Sequence, residues 1–146
     1  MNSRLFTIGF TKKTADKFFG SIKRANIRRV IDTRLNRTSQ LSGFAKEQDL
    51  GFFLRELCQA EYVKEPLLAP TEDILSAYKK KAIDWKTYEK LFNELIRSRQ
   101  VENKLIPTQL ENACLLCSED KPHYCHRRLV AEYLKEKWKD VEIFHL

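Results

Sequence analysis

Apolar positions along this chain follow two different periods, and the places where one gives way to the other mark its elements. Arg4 to Gly9 (RLFTIG) is rich in β-branched and aromatic residues and reads as a strand. Thr14 then stands where a helix cap belongs, and Phe18, Phe19, Ile22 and Ala25 after it share one helical face. Arg28 to Thr33 (RRVIDT) predicts a second short strand. The spacing of Leu50, Phe53, Leu54 and Leu57 predicts a helix over Glu47 to Ala60, with those four side chains inward. Glu61 to Lys64 is a weaker strand, closed by Pro66.

The second half repeats the alternation. Pro70-Thr71 opens a helix with Ile74, Leu75 and Tyr78. Asp84 caps another, where Tyr88, Leu91, Phe92, Leu95 and Ile96 recur at helical spacing. Asn112 to Cys117 is a fourth strand, Arg127 to Trp138 a helix and Val141 to His145 a last strand. Strands alternating with helices imply a parallel sheet covered on both faces. The right-handed crossover rule makes this a three-layer α/β fold, Rossmann-like or flavodoxin-like, on a mainly parallel five-stranded sheet. In such a sheet all strands point their carboxyl ends to one edge, so Gly9, Asp32 with Arg34, and Cys117 with Glu119 converge on one rim.

Length and composition narrow the picture. At 146 residues, 42% hydrophobic and 32% charged, the chain is expected to form one globular domain over residues 1–146. Four Gly and four Pro argue against a loop-rich or all-β design. No apolar run approaches the roughly 20 residues that span a bilayer. Met1-Asn-Ser-Arg-Leu-Phe runs straight into strand-like sequence without a signal-peptide core, so a cytoplasmic protein with reduced cysteines is expected. The net charge of +7 favours an anionic small molecule or nucleic acid as partner, with a merely solvated basic surface as the plain alternative.

The densest chemistry lies in Cys117-Ser-Glu119 and Cys125-His126-Arg127-Arg128, where a strand ends and a helix begins. Cys114-x2-Cys117 with Cys125-His126 superficially resembles a zinc pattern. Leu115 and Leu116, however, put the first pair inside a strand, where residues three apart point to opposite faces. Cys114 and Cys117 are therefore not expected to share an ion, and neither metal nor other cofactor is expected. Cys125 precedes a helix whose orphan N–H groups and neighbouring His126, Arg127 and Arg128 favour a thiolate. Cys117 is its candidate partner, against the alternative that both are small buried hydrophobes. Arg127 and Arg128 at that helix start, with Arg34 and Arg37 in a loop carrying no acidic residue before Glu47, form a candidate anion site. Asp32 and Glu119 follow apolar strands, as general bases or as partners that orient Arg34 and Arg127. Trp85, Tyr88 and Phe92 read as core rather than as a base-stacking platform, and Lys79-Lys-Lys as an exposed helix end.

Thr7-Ile8-Gly9, Ile31-Asp32-Thr33-Arg34, Gly43-Phe44-Ala45-Lys46, Leu115-Leu116-Cys117-Ser118-Glu119 and Cys125-His126-Arg127 together resemble the bacterial and archaeal "domain of unknown function 488" family. The resemblance implies a single α/β domain with a parallel sheet and no established reaction. The family pattern commonly has a His after the first Gly, where this chain has Phe10. Its Gly-rich segment after the third strand is replaced by Glu65-Pro-Leu-Leu-Ala-Pro70. If that His acts in relatives, this chain lacks the activity or uses His126 instead.

The reading that follows is an enzyme-like rim of Asp32, Arg34, Arg37, Cys117, Glu119, Cys125, His126, Arg127 and Arg128, acting on a phosphate-bearing nucleotide or nucleic acid. A non-catalytic nucleic-acid-binding module and a zinc-stabilised structural domain are the alternatives.

Overall fold

In the computed structural model, residues 3–146 are described; Met1 and Asn2, which the sequence reading runs into the first strand, lie outside them. Five strands, β1 (Ser3–Gly9), β2 (Arg29–Asp32), β3 (Glu61–Lys64), β4 (Ala113–Cys117) and β5 (Val141–His145), form one sheet in the order β3-β2-β4-β1-β5. Every neighbouring pair is parallel. Parallel neighbours need crossovers, and helices supply them. The three-layer α/β expectation holds.

Pleating sorts the strand side chains between two cores. Phe6, Ile8, Val30, Cys114 and Leu116 face one layer, packed on Phe18, Phe19 and Ile22 of α1 (Ala15–Arg24) and on Leu50 of α2 (Glu47–Phe53). Leu5, Ile31, Ala113 and Leu115 face the other. There Tyr88, Phe92 and Ile96 of α4 (Trp85–Arg99) meet Leu129, Val130 and Leu134 of α6 (His126–Trp138). α3 (Glu72–Lys79) packs on α4 with Ile74 and Tyr78, and α5 (Val101–Lys104) is one short turn after Gln100. β4 is buried at all five positions because it lies in the middle of the sheet between two covered faces.

The helix starts follow local chemistry unevenly. Asp84 accepts from the Thr87 amide at 2.9 Å and Thr71 from that of Ile74 at 3.3 Å. Thr14 occupies the cap position without such a bond. The predicted helix over Glu47 to Ala60 departs from expectation. After Phe53 it widens into a π turn, Leu54–Cys58, and ends at Gln59 in a left-handed conformation (φ 55°). The wider turn keeps Leu54 buried and leaves Leu57 half exposed, so Leu57 does not point inward. The basic loop between β2 and α2 contains a short 3₁₀ stretch, Gln40–Ala45, with Gly43 at φ 56°. No described helix is long and apolar enough to cross a membrane.

Candidate functional site

The carboxyl ends of β2 and β4 and the start of α6 enclose a cleft of about 210 Å³. Strands that neighbour one another in the sheet (β3, β2, β4, β1) send their chains to alternate faces, which opens crevices at this edge. Arg34 and Asn36 follow β2, Cys117, Ser118 and Glu119 end or follow β4, and Cys125 and His126 begin α6; all line the cleft. Tyr78, Trp85, Tyr88 and Tyr124 form its walls.

The floor is a thiol–imidazole cluster. Cys117 Sγ lies 3.6 Å from His126 Nδ1. The ligating atoms of Cys117, Cys125 and His126 all lie within 4.8 Å of one another, and all three residues are buried. Hydrogen bonding fixes the His126 tautomer. The Thr33 hydroxyl donates to the Leu116 carbonyl at 2.8 Å, so toward His126 Nε2, at 3.0 Å, it can only accept. Nε2 also faces the Thr33 carbonyl oxygen at 2.8 Å. Two acceptors require a proton on Nε2, and the neutral ring then presents the Nδ1 lone pair to Cys117.

Two opposed effects set the Cys117 thiol. Burial pushes it up, but S–H donation from Cys125, the Arg127 charge and the N–H groups of Glu119 and Ser118 together outweigh burial and hold it below the ordinary value. Cys125 goes well above the ordinary value, through burial and its bond to Cys117. Of the pair, Cys117 ionises first. Cys114 is separate: it packs in the opposite core with Ile8 and Phe18, and burial pushes its thiol up. β4's alternation thus keeps the Cys114 and Cys117 side chains apart, as expected.

Arg34 lines the cleft, and its guanidinium is held by neighbouring acceptors. Its Nε and Nη2 grip Asp32 at 2.9 and 2.8 Å, its amide bonds the same carboxylate at 3.1 Å, and Nη2 also reaches the Ala45 carbonyl at 2.7 Å. Tyr62 donates to Asp32 Oδ2 at 2.6 Å. The remaining nitrogen, Nη1, is buried without a hydrogen-bond partner among the described residues. The guanidinium carbon stands 5.2 Å from the centre of the Phe10 ring. Asp32, with its oxygens taken by Arg34 and Tyr62, holds that arginine in place.

The other expected arginines turn away from the cleft. Arg127 is fully buried, donating from Nε to the Thr7 hydroxyl at 3.2 Å, from Nη2 to the Asp120 carbonyl at 3.2 Å and from Nη1 to the Glu119 carbonyl. Arg37 donates to the Arg34 carbonyl at 3.1 Å, and Arg128 pairs with Glu132 at 3.0 Å and Glu89 at 3.4 Å. Of the four expected arginines only Arg34 lines the cleft; backbone carbonyls and carboxylates engage Arg37, Arg127 and Arg128, although Arg37 Nε is also buried without a hydrogen-bond partner among the described residues. Glu119 is exposed at the cleft mouth and, after burial, is the main influence raising the Tyr78 hydroxyl.

Sequence reading missed the walls. Trp85 and Tyr88 stack with centroids 5.0 Å apart, Tyr78 meets both, and the exposed Tyr124 lies edge-on to Trp85 at 5.5 Å. The stripe read as core does belong to the core, with Tyr88 and Phe92 buried and Trp85 packed against them; Trp85 and Tyr88 also reach the cleft, while Phe92 packs against the His126 ring. Thr33 was missed too, though its place directly after Asp32 at a strand end was a usable signal.

A family model described as "Domain of unknown function DUF488" matches residues 14–134. Comparison with curated proteins finds no match, and comparison with solved structures finds none.

Proposed function

The chain belongs to the DUF488 family, whose description names no reaction, and from that premise we propose that it is an enzyme acting on a nucleotide-class small molecule in the aromatic-walled cleft. One observation carries the reading: four aromatic side chains and the thiol–imidazole cluster share a single cleft at the strand-end rim. Stacking on aromatic walls suits a planar base, and each stacked base contributes about 1–3 kcal/mol where such contacts occur. About 210 Å³ is below the ~300–1,000 Å³ of drug-sized ligand sites, which favours a single ring inside with its anionic group at the mouth. Lys79, which is exposed, and the buried Arg34 both line the cleft and supply positive charge.

Roles follow from position. Cys117, Cys125 and His126 form the chemical centre beneath the ring. His126 Nδ1 is its proton acceptor, and Glu119 at the mouth is a second acid–base group. Asp32 and Thr33 are positioning residues, holding Arg34 and His126 in place.

Titration of Trp85 emission with AMP, CMP and GMP, in a Trp138→Phe background, tests the reading. Saturable quenching is expected, weakened at least ~10-fold in affinity by Tyr124→Ala and by Lys79→Gln. Quenching by none of the three nucleotides would defeat it. Binding only of oligonucleotides, falling steeply with salt, would instead favour the nucleic-acid-binding module.

A further inference from the structure

We propose that Cys117 Sγ, Cys125 Sγ and His126 Nδ1 together bind a zinc ion whose fourth position opens into the cleft. The proposal rests on the cleft being the place of chemistry and assigns the chemical centre within it.

Zinc–sulfur bonds of about 2.3 Å and zinc–nitrogen bonds of about 2.0–2.1 Å at a tetrahedral angle put sulfur and nitrogen about 3.6 Å apart, and two sulfurs about 3.8 Å apart. Cys117 Sγ and His126 Nδ1 stand 3.6 Å apart. With all three ligand atoms within 4.8 Å of one another, closing the set takes about 1 Å of side-chain adjustment at most.

Three further features suit a metal. The His126 tautomer leaves the lone pair on Nδ1, facing the thiols. Its Nε2–H donates to the Thr33 carbonyl at 2.8 Å, the outer hydrogen bond that metal-bound histidines usually make. Cys117, Cys125 and His126 are all buried, so an ion held by them is shielded from bulk water.

The set also avoids the objection to a zinc pattern in this sequence. That objection concerned Cys114 and Cys117 on opposite faces of β4, and Cys114 is not a member. The third ligand comes instead from the first turn of α6. Three protein ligands with an open position is the arrangement of catalytic rather than structural zinc, and all three residues line the cleft. Zinc there supplies a Lewis acid that polarises a ligand oxygen or lowers the pKa of a bound water.

The test uses the full chain, purified under reducing conditions without chelator. Elemental analysis is expected to give one zinc per chain. Cobalt added to metal-free protein is expected to give thiolate charge-transfer and tetrahedral d–d absorption. Cys125→Ser and His126→Gln, checked for folding by circular dichroism, should each weaken zinc binding beyond the about 10–100-fold that loss of an outer partner costs. Cys114→Ser and Cys58→Ser should leave it unchanged. If wild-type protein binds neither zinc nor cobalt, or if Cys114→Ser weakens binding as much as Cys125→Ser, the site is overturned. Trp85 quenching by nucleotides is measured on the metal-free protein as well. Quenching there without zinc binding removes the metal and leaves the cleft reading standing; zinc binding without quenching does the reverse.

Discussion

At the rim, β1 and the segment after β4 approach so closely that a β-carbon on Gly9 would stand 1.6 Å from the Glu119 carbonyl oxygen. Arg127 Nη1 donates to that same carbonyl, so one backbone oxygen is clamped between a glycine and a buried guanidinium. Gly9→Ala must push the Ser118–Asp120 backbone outward, at a cost of about 1–3 kcal/mol as in other overpacked sites. A lowered urea midpoint is expected, with weakened metal and nucleotide binding because Ser118 and Glu119 border the cluster. An unchanged midpoint would show that the segment yields freely. These residues also mark how far the site was legible. Cys117, Cys125 and His126 stood out because they crowd into ten residues of sequence. Arg127 was visible as a charge, but a sequence does not reveal what a charge faces, and this one faces carbonyls. Tyr124 and Thr33 become site residues only through partners far along the chain, Trp85 and His126.

Among the elements, β5 is the sheet edge whose side-chain contact to the interior has a pH dependence. Thr7 Oγ1 accepts from Arg127 Nε at 3.2 Å and lies in hydrogen-bond contact with His145 Nδ1 at 2.6 Å. Burial and the Arg127 charge hold the His145 pKa below its ordinary 6.5. As pH falls the unfolded chain takes up the proton first, so the stability from this contact is full above about 6.5 and declines as pH drops through the folded-state value. Urea midpoints measured from neutral to mildly acidic pH should fall on that side, and His145→Asn should flatten the slope there. Equal slopes in both proteins would discard the contact as the cause. The strands and long helices were legible because burial imposes periods of two and 3.6 on them. The π turn at Leu54–Cys58 and the 3₁₀ stretch at Gln40–Ala45 were not, because they answer to how chain segments meet the body rather than to a local period.

As a whole, the molecule has two apolar cores divided by one sheet, and the sheet contributes alternate side chains to each. Both tryptophans lie on one side: Trp85 and Trp138 pack against the core containing Phe92, while Leu50 belongs to the other. Shared strands should make the cores unfold together. Tryptophan emission and far-ultraviolet circular dichroism are expected to give one coincident denaturation curve. Leu50→Ala, though remote from both indoles, should shift it by about 2–5 kcal/mol. Separate transitions for the two probes would mean that the layers fold independently. The strand order carries a further consequence, for the chain during its synthesis. β1 emerges first, yet its two neighbours, β4 and β5, are the last strands made. At about 5–20 residues per second, the roughly hundred residues between Gly9 and Ala113 keep an apolar strand without its sheet partners for about 5–20 s. A ribosome stalled before residue 113 therefore holds a chain in which β2 and β3 can pair but β1 cannot, and it is then that a chaperone has most to cover.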